Sequence, residues 1–532
     1  MARVSLLTLP LAAPSLKKKR RWPNLGQRLL PWLLPFSLFV LWWLASRNHW
    51  MSEQILPAPS LVWSSAVELA QGELGSHLWI SLKRLFWGLL AGISVGAVLG
   101  AGLGFSRRLE RLVFPTFAGL AQVPTLAWIP LLMVFFGIGE MLKLVVLIKA
   151  IVVPVTLHTL VGVRDAQPKL REAAAVLRLP PRLLIRRLVL PAALPAFMAG
   201  VRLALSAGWM SLLAVELLAS SEGIGYLMVW ARQLFMLDIV FVCIVVIGVT
   251  GVVMDRGIGW LDKKLVHWPH PATAEIRRAP RYQGWQRLQP WLLPLVLLAV
   301  WQWAVDQHWV DANILVSPWA VVKAIWSGLL DGTLSSGMAL SLGRALGGLL
   351  LGGSLGLALG LLLGLSRTSE RVLGPTLSAF RQIAIFAWVP LLTAWFGLGE
   401  LAKWVFVGLA AFFPLFIATQ RSVANLSPLL NEAAQVLRLS LVQRLRRLVI
   451  PGAAPGIFAG LRLSLIYAWL GTIGAEYFMP SNGGIGSQMI GAQQLLRMDL
   501  IMAGMVLVGL TGALFNLIGQ RLEIRVTRWR HA

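Results

Sequence analysis

Two apolar stretches of this 532-residue chain each carry an arginine and a glutamate, side chains that can attract or hold a charged group. Arg202 and Glu216 lie in the first stretch, and Arg462 and Glu476 repeat them 260 positions later (462 − 202 = 260). A charge at bilayer depth costs about 2.5–3.5 kcal/mol on insertion scales, so it faces a cavity or a partner. We expect all four residues to line a translocation path at the interface between the repeats, where the two arginines provide an attractive potential for an anion. The alternative is that each charge pairs with a polar group on a neighbouring helix.

An arginine-rich segment precedes both stretches. It reads EAAAVLRLPPRLLIRRLVLP from position 172 and EAAQVLRLSLVQRLRRLVIP from position 432. Pro180-Pro181 must break the first helix and can start a second, and Ser440 can cap the corresponding helix in the second copy. Arginines at intervals of four from Arg178 onward predict one basic face. We predict a helix, a sharp turn and a second helix that leads into the apolar stretch. We call this segment, 172–191 in the first half and 432–451 in the second, the elbow. The same element could instead lie on lipid headgroups.

The third stretch of each repeat shows where the copies differ. AQVPTLAWIP (121–130) corresponds to RQIAIFAWVP (381–390), with Arg381 in place of Ala121. Apolar walls with a few polar groups suit the passage of a small molecule, although tryptophan near a membrane end also serves as an interfacial anchor. The positions that recur are Gln122 and Gln382, Trp128 and Trp388, and Pro130 and Pro390, two prolines that we expect to kink the chain.

The composition requires a membrane protein. The chain is 57% hydrophobic and only 13% charged, and apolar runs long enough to cross a bilayer recur along its length. We predict twelve spans, at 29–46, 80–104, 111–136, 141–162, 193–219, 239–260, 290–305, 339–364, 371–396, 401–419, 453–478 and 499–519. Each repeat then holds six spans, so both copies point the same way, related by an axis along the membrane normal.

The net charge of +26 orients the protein rather than binding nucleic acid. Basic residues gather in alternate loops, which by the positive-inside rule places both termini in the cytoplasm. We predict a basic cytoplasmic tail at 1–28, a first domain at 29–261, a cytoplasmic linker at 262–286 and a second domain at 287–525. Cys243 is the only cysteine, so neither an intramolecular disulfide nor a cysteine metal cluster is expected.

The segments that begin with Glu-Ala-Ala at positions 172 and 432 resemble a loop of a known protein family. The pattern EAA, followed at fixed spacing by x-L-P, resembles the loop of binding-protein-dependent ABC importer permeases, and both halves are similar to the nitrate, sulfonate and taurine branch of that family. The resemblance implies an all-α polytopic fold of two tandem six-helix type I ABC importer transmembrane domains in parallel orientation. It also implies that each loop docks on an ATP-hydrolysing subunit. The residues carried over are Glu172, Ala173, Ala174, Arg178, Glu432, Ala433, Ala434 and Arg438, the two arginines standing where the family has a glycine.

The partners follow from what the chain lacks. No lysine follows a glycine, so the G-x-x-x-x-G-K-[ST] phosphate loop is absent from this sequence. We expect no cofactor in this chain, with ATP and Mg held by two copies of a cytoplasmic ABC ATPase. A periplasmic or lipid-anchored solute-binding protein would deliver a small anion, such as a sulfonate, taurine or nitrate, to a permease in the inner membrane. We expect membrane lipid, and no nucleic acid, as a further partner.

Two other classes of membrane protein fit the sequence less well. A major-facilitator-type secondary transporter also has six plus six spans, but GFSRRLERL at 104–112 lacks the glycine-aspartate-basic motif of that class. A membrane-embedded enzyme would need clustered His, Asp or Glu at membrane depth, and the seven histidines are scattered, so no catalytic or metal site is predicted. Within the ABC role, a non-anionic solute such as a vitamin precursor stays open.

Overall fold

A computed structural model describes residues 25–164, 174, 176–266, 288–309, 315–480 and 483–527. These residues form helices and turns, with no strand among them. The first half comprises α1 (Leu25–Arg47), α2 (Pro59–Gln71), α3 (Leu74–Phe105), α4 (Arg107–Gln122), α5 (Ile129–Phe136), α6 (Glu140–Arg164), α7 (Pro181–Leu184), α8 (Leu190–Ala219), α9 (Ile224–Gln233) and α10 (Leu237–Leu265).

The second half repeats this order. It comprises α11 (Gln289–Asp306), α12 (Pro318–Leu330), α13 (Thr333–Leu365), α14 (Arg367–Gln382), α15 (Val389–Phe396), α16 (Glu400–Ala424), α17 (Pro428–Val436), α18 (Leu441–Arg444), α19 (Ile450–Phe478), α20 (Ile485–Gln494) and α21 (Met498–Val526). Short 3₁₀ turns, Leu126–Trp128 and Ile385–Trp388, precede α5 and α15, and π-helical turns, Ile185–Val189 and Leu445–Val449, precede α8 and α19. Apart from α17, whose corresponding positions in the first half lie largely outside the described residues, each half has the same sequence of elements, so the duplication seen in the sequence is also a duplication of structure.

Nine of the twelve predicted spans are helices long and apolar enough to cross a membrane within the described residues. Two more, at 111–136 and 371–396, are not single straight helices: each is a pair of helices, bent by 87° in the first half and by 92° in the second. The twelfth, at 290–305, lies in α11, which is only 18 residues long, carries Gln302 and Asp306, and is not among the nine. If α11 and both bent pairs cross, each half passes the membrane six times.

Rows of glycine bring the long helices of each half into close contact. In α3 a glycine stands at every fourth position from Gly88 to Gly104, which is one face of a helix. A β-carbon at Gly96 would lie 2.8 Å from Val155 Cβ, and one at Gly356 of α13 would lie 2.7 Å from the carbonyl oxygen of Phe412. The two backbones can approach this closely only because the side chain is absent, as in small-residue helix interfaces of membrane proteins.

The halves are interlocked at their first helices. The first helix of each half packs against the other half, α1 on α14 and α11 on α4. The indole of Trp395 donates to the carbonyl of Ile55 across the same boundary, at 2.9 Å. Each half therefore completes the packing of the other, and the two repeats form one unit.

The bends in the third stretch occur seven residues earlier than predicted. Pro130 and Pro390 are the second residues of α5 and α15, where proline starts a helix instead of kinking it. The chain turns instead at Val123 (φ −74, ψ 117) and Ile383 (φ −70, ψ 120). A proline follows Val123 and favours this extended conformation. Ile383 adopts the same conformation before an alanine, so tertiary packing must impose it there.

Candidate functional site

The two bends meet at the boundary between the halves. A β-carbon at Gly474 of α19 would lie 2.8 Å from Phe386 Cε1 and 3.3 Å from Leu126 Cδ1, so the residues after both bends converge there. Each bend also rests on a glycine of the other half's last helix. A β-carbon would lie 2.7 Å from Val123 at Gly509, and 3.0 Å from Ile383 at Gly248. The two bends and the last helices of both halves therefore meet at one central contact.

The polar residues predicted from the third stretch lie at this boundary. Gln122 and Gln382 end α4 and α14, and a β-carbon at Gly251 would lie 2.9 Å from the carbonyl oxygen of Gln382. Trp388 is half-buried and stacks on Phe380 with ring centroids 5.9 Å apart. The remaining predicted residues of this region are Trp128, half-buried in the 3₁₀ turn before α5, and Arg381, exposed in the last turn of α14.

The glutamates predicted to line a path are enclosed in ion-pair clusters. Glu216 is 1% exposed and receives hydrogen bonds from Arg84 (2.8 Å), Ser81 (2.9 Å) and the Gly225 amide (3.1 Å). Arg84 also binds Glu140 through two nitrogens, at 2.6 and 2.8 Å. We call Arg84, Glu140 and Glu216 the first ion-pair cluster. It joins α3, α6 and α8 at the end of the bundle opposite the arginine-rich elbows.

The second half contains the matching set, Arg344, Glu400 and Glu476, here called the second ion-pair cluster. Arg344 lies 2.6 Å from Glu476 and 2.5 and 2.7 Å from the two oxygens of Glu400, and Glu476 has no exposed surface. The sequence predicted the glutamates but not their arginine partners, which lie 132 residues away in both halves. Each glutamate therefore faces a partner within its own half and not a cavity.

Arg202 and Arg462 are held by the last helix of their own half. Arg202 binds both carboxylate oxygens of Asp255 on α10, at 2.7 and 2.8 Å. Arg462 donates to Asn516 at 2.9 Å and lies 3.4 Å from Glu523, both on α21. This is the arrangement of the alternative interpretation, in which each charge pairs with a polar group on a neighbouring helix.

The second elbow has the helix–turn–helix form expected from the sequence, with α17 before the turn and α18 after it, whereas the segment before the turn of the first elbow lies largely outside the described residues. Glu172 and Ala173 lie outside the described residues, as does the side chain of Ala433. Ala174 and Ala434 are buried, and Glu432 is exposed. Ser440 is an N-cap as predicted, because its hydroxyl accepts from the Gln443 amide (3.3 Å) while the Gln443 side chain accepts from the Ser440 amide (3.0 Å).

One expectation about the elbows is wrong. Arg178 does not share a helical face with the arginines that follow it, because it lies in the turn before Pro180. Arg178 and Arg438 have left-handed backbones, with φ of 48° and 47°. The Leu439 amide donates to the Ala434 carbonyl and the Arg438 amide to that of Gln435, which terminates α17 at the position where helices favour glycine.

Arg438→Gly should stabilise the second elbow. A side chain in the left-handed region costs about 1 kcal/mol, and glycine removes that cost. We expect the Leu439 amide to exchange its hydrogen about fivefold more slowly, measured by hydrogen–deuterium exchange on the purified chain.

Arg446→Gly is the matched control. Arg446 lies in the π-helical turn without a positive φ, where glycine should be neutral or destabilising. Equal exchange rates in Arg438→Gly and the unaltered chain would contradict the assignment of strain to Arg438.

Sequence reasoning did not single out Lys149. It stands within α6 and donates to the carbonyl of Val123 at 2.8 Å, at the first bend. The sequence does indicate this residue, because a lysine inside an apolar span costs free energy at membrane depth. Comparison of the two repeats does not reveal it, because the second half has leucine at the corresponding position, Leu409.

The fold defines a duplicated membrane transport component, and comparison with known proteins agrees. The family model for the binding-protein-dependent transport system inner membrane component matches residues 88–267 and again residues 352–528. The two matches cover more than half of the chain, and the chain belongs to this family. It is a permease with two such domains fused in one polypeptide.

Several curated relatives align with one half of the chain. The chain is 39% identical over 246 residues to a putative aliphatic sulfonates transport permease protein of Escherichia coli, which covers 46% of this chain and 93% of the relative. It is 35% identical over 237 residues to the protein of the same description from Bacillus subtilis, 44% of this chain and 86% of the relative. It is 31% identical over 260 residues to a taurine transport system permease protein of E. coli, 48% of this chain and 94% of the relative.

Family membership shows the general role of the chain. The chain is a multi-pass membrane protein and a transport component, not an enzyme, and the family has no cofactor of its own. Membership implies an ATPase and a substrate-binding protein as partners. The predicted fold class, two tandem type I ABC permease domains, is confirmed.

Proposed function

We propose that this chain moves a small organic anion, a sulfonate or taurine, from a periplasmic or lipid-anchored binding protein into the cytoplasm. The observation that carries the proposal is the similarity of the chain to permeases described for aliphatic sulfonates and for taurine. Nitrate has only the resemblance at branch level to support it. Residues 29–261 and 287–525 would be the two permease domains, joined by the linker 262–286.

The elbows are proposed as the docking points for two copies of the ATPase. Each elbow presents an exposed arginine in a sharp turn, and exposed, structured turns suit a groove on a partner. The residues proposed for docking are Glu172, Ala173, Ala174, Arg178, Glu432, Ala433, Ala434 and Arg438. ATP and Mg would be held by the partner, and the elbows and both termini would lie in the cytoplasm.

Force applied at an elbow has a continuous route to the bend. Each elbow runs through a π-helical turn into α8 or α19, and α19 reaches Gly474, where the two bends converge. ATP-driven closure of the two ATPases would move both elbows and tilt the halves. The contact between the bends would then open alternately to either side.

The proposed path follows the boundary between the halves. The path keeps the five predicted residues that lie at or beside the two bends, which are Gln122, Trp128, Arg381, Gln382 and Trp388. The buried Glu216 and Glu476 belong to the ion-pair clusters and are left out. The paired Arg202 and Arg462 are interpreted as ties to α10 and α21.

Uptake by the reconstituted complex tests the proposal. The chain, assembled with its ATPase and binding protein, should accumulate radiolabelled ethanesulfonate or taurine in proteoliposomes only when ATP is supplied. Uptake driven by an ion gradient without the ATPase would contradict the ABC role. ATP-dependent uptake of an uncharged solute, with neither sulfonate carried, would contradict the substrate.

Glu432→Lys tests the docking role of the second elbow. Reversing an exposed charge at an interface should cost about 1.4 kcal/mol of ATPase affinity, which is tenfold in binding. Glu68→Lys is the matched control, an exposed charge reversal on α2, far from the elbows. Equal pull-down of the ATPase by both variants would remove Glu432 from the docking surface.

A further inference from the structure

Two cations at the boundary occur in the first half only. Lys149 corresponds to Leu409, and Arg232 corresponds to Gln493. Arg232 reaches across to the second half, 3.4 Å from the hydroxyl of Thr393. Arg381, which stands where the first half has Ala121, is the unmatched cation of the second half. The duplication has therefore acquired unmatched positive charge at the boundary between its halves.

Lys149 lies deep in the membrane-spanning part of the chain. It is the tenth residue of α6, about 14 Å along the helix from Glu140 at a rise of 1.5 Å per residue. Its ammonium donates to the Val123 carbonyl at 2.8 Å and lies 3.5 Å from the Thr125 hydroxyl. No carboxylate of the described residues is within 4.0 Å of it. Its charge is thus met by dipoles and by no counter-charge.

A second unused donor lies at the same place. The ammonium of Lys149 is 5.2 Å from the ring centroid of Trp128, and the indole N–H of Trp128 is buried without a hydrogen-bond partner among the described residues. A lysine has three N–H donors, and the Val123 carbonyl uses only one at good distance. Among the described residues, the Trp128 indole N–H and the remaining N–H groups of Lys149 therefore have no acceptor at good distance.

A purely structural role for Lys149 does not explain it. Its bond to Val123 could cap α4 where the helix ends, yet the second half makes the same bend with Leu409 at the corresponding position. The two bends, 87° and 92°, differ little. The second half is thus an internal control, and it shows that the lysine is not needed to break the helix.

We propose that Lys149, Thr125 and Trp128 form an anion subsite that receives the sulfonate head group during translocation. A sulfonate carries one negative charge over three acceptor oxygens, which matches one ammonium, one indole N–H and one hydroxyl. The choice of sulfonate among oxyanions rests on the proposed function. The second half offers no equivalent, because Leu409 and Ile385 replace Lys149 and Thr125.

The first measurement uses the purified chain without its partners. In a Cys243→Ala background, Thr125→Cys is treated with a methanethiosulfonate reagent bearing an ethanesulfonate group and, separately, with a neutral one. We expect the anionic reagent to be favoured, and the ratio of the two rates to fall about tenfold when Lys149→Gln is added. Ile385→Cys, with Leu409→Gln as its second change, is the matched control, whose ratio should not move. A ratio independent of Lys149, or no reaction at Thr125→Cys, would overturn the subsite.

The second measurement uses the complete transporter in proteoliposomes. The ratio of ethanesulfonate imported to ATP hydrolysed should fall about tenfold in Lys149→Gln and recover in Lys149→Arg, while Leu409→Gln keeps the ratio of the unaltered chain. A structural defect would lower import and hydrolysis together and leave the ratio unchanged, which would overturn the subsite. A Lys149-dependent reagent ratio without any ethanesulfonate uptake would support the anion subsite and remove the sulfonate from the proposed function.

Discussion

Arg344→Met should destabilise the chain by about 3–5 kcal/mol, the cost of leaving a buried charge without its partner. Arg344 is 2% exposed and Glu476 is fully buried, so water cannot replace the lost guanidinium. The same substitution removes the bond from Arg344 to the Gly483 carbonyl, at 3.1 Å, and so loosens the turn before α20. The midpoint of thermal unfolding of the purified chain in detergent measures the effect.

Two controls separate the buried ion pair from a general effect of lost charge. Arg497→Met removes an exposed partner of Asp499, and a surface pair of this kind contributes at most about 1 kcal/mol. Combining Arg344→Met with Glu476→Gln removes both buried charges and should recover part of the loss. If Arg344→Met unfolds at the temperature of the unaltered chain, the second ion-pair cluster does not hold the three helices together.

Gly356→Leu should separate α13 from α16 and cost about 3 kcal/mol, at the upper end of the usual penalty for overpacking. The β-carbon would lie 2.7 Å from the carbonyl oxygen of Phe412, and this atom belongs to the backbone and cannot rotate away. The expected result is a lower unfolding midpoint in detergent and a smaller yield of folded chain.

Gly343→Leu provides the control on the same helix. A β-carbon there meets nothing within 4 Å and the residue is exposed, so the substitution should be neutral or slightly stabilising through better helix propensity. Equal loss of stability in both variants would indicate that the helix tolerates no leucine at all and would refute the close-packing explanation.

The local features of this chain could be predicted from its residues. The capping hydroxyl of Ser440, the helix starts at proline and the nine long apolar helices depend on interactions within a few positions of the chain. The rows of glycine in α3 and α13 are equally visible in the sequence as a four-residue period. Their partners α6 and α16 could not be chosen, since every long helix offers an apolar face.

The ion pairs show more clearly what could not be predicted from the sequence. Glu216 was identified as a charge that needs a partner, and that requirement is met, but by Arg84 on another helix and not by a cavity. Spacing along one helix carries no information about a residue 132 positions away. Arg202 is the same case, with its partner Asp255 on α10.

The sequence by itself determined that this chain crosses a membrane many times in two parallel copies, because apolar length and repetition are properties of residue order. Tertiary structure alone decided where the third stretch bends. Ile383 turns as Val123 does although no proline follows it, since a glycine of the opposite half leaves room for that turn. Which buried charges meet was likewise decided by packing, because a charge inside a bilayer takes the nearest partner that the fold brings to it.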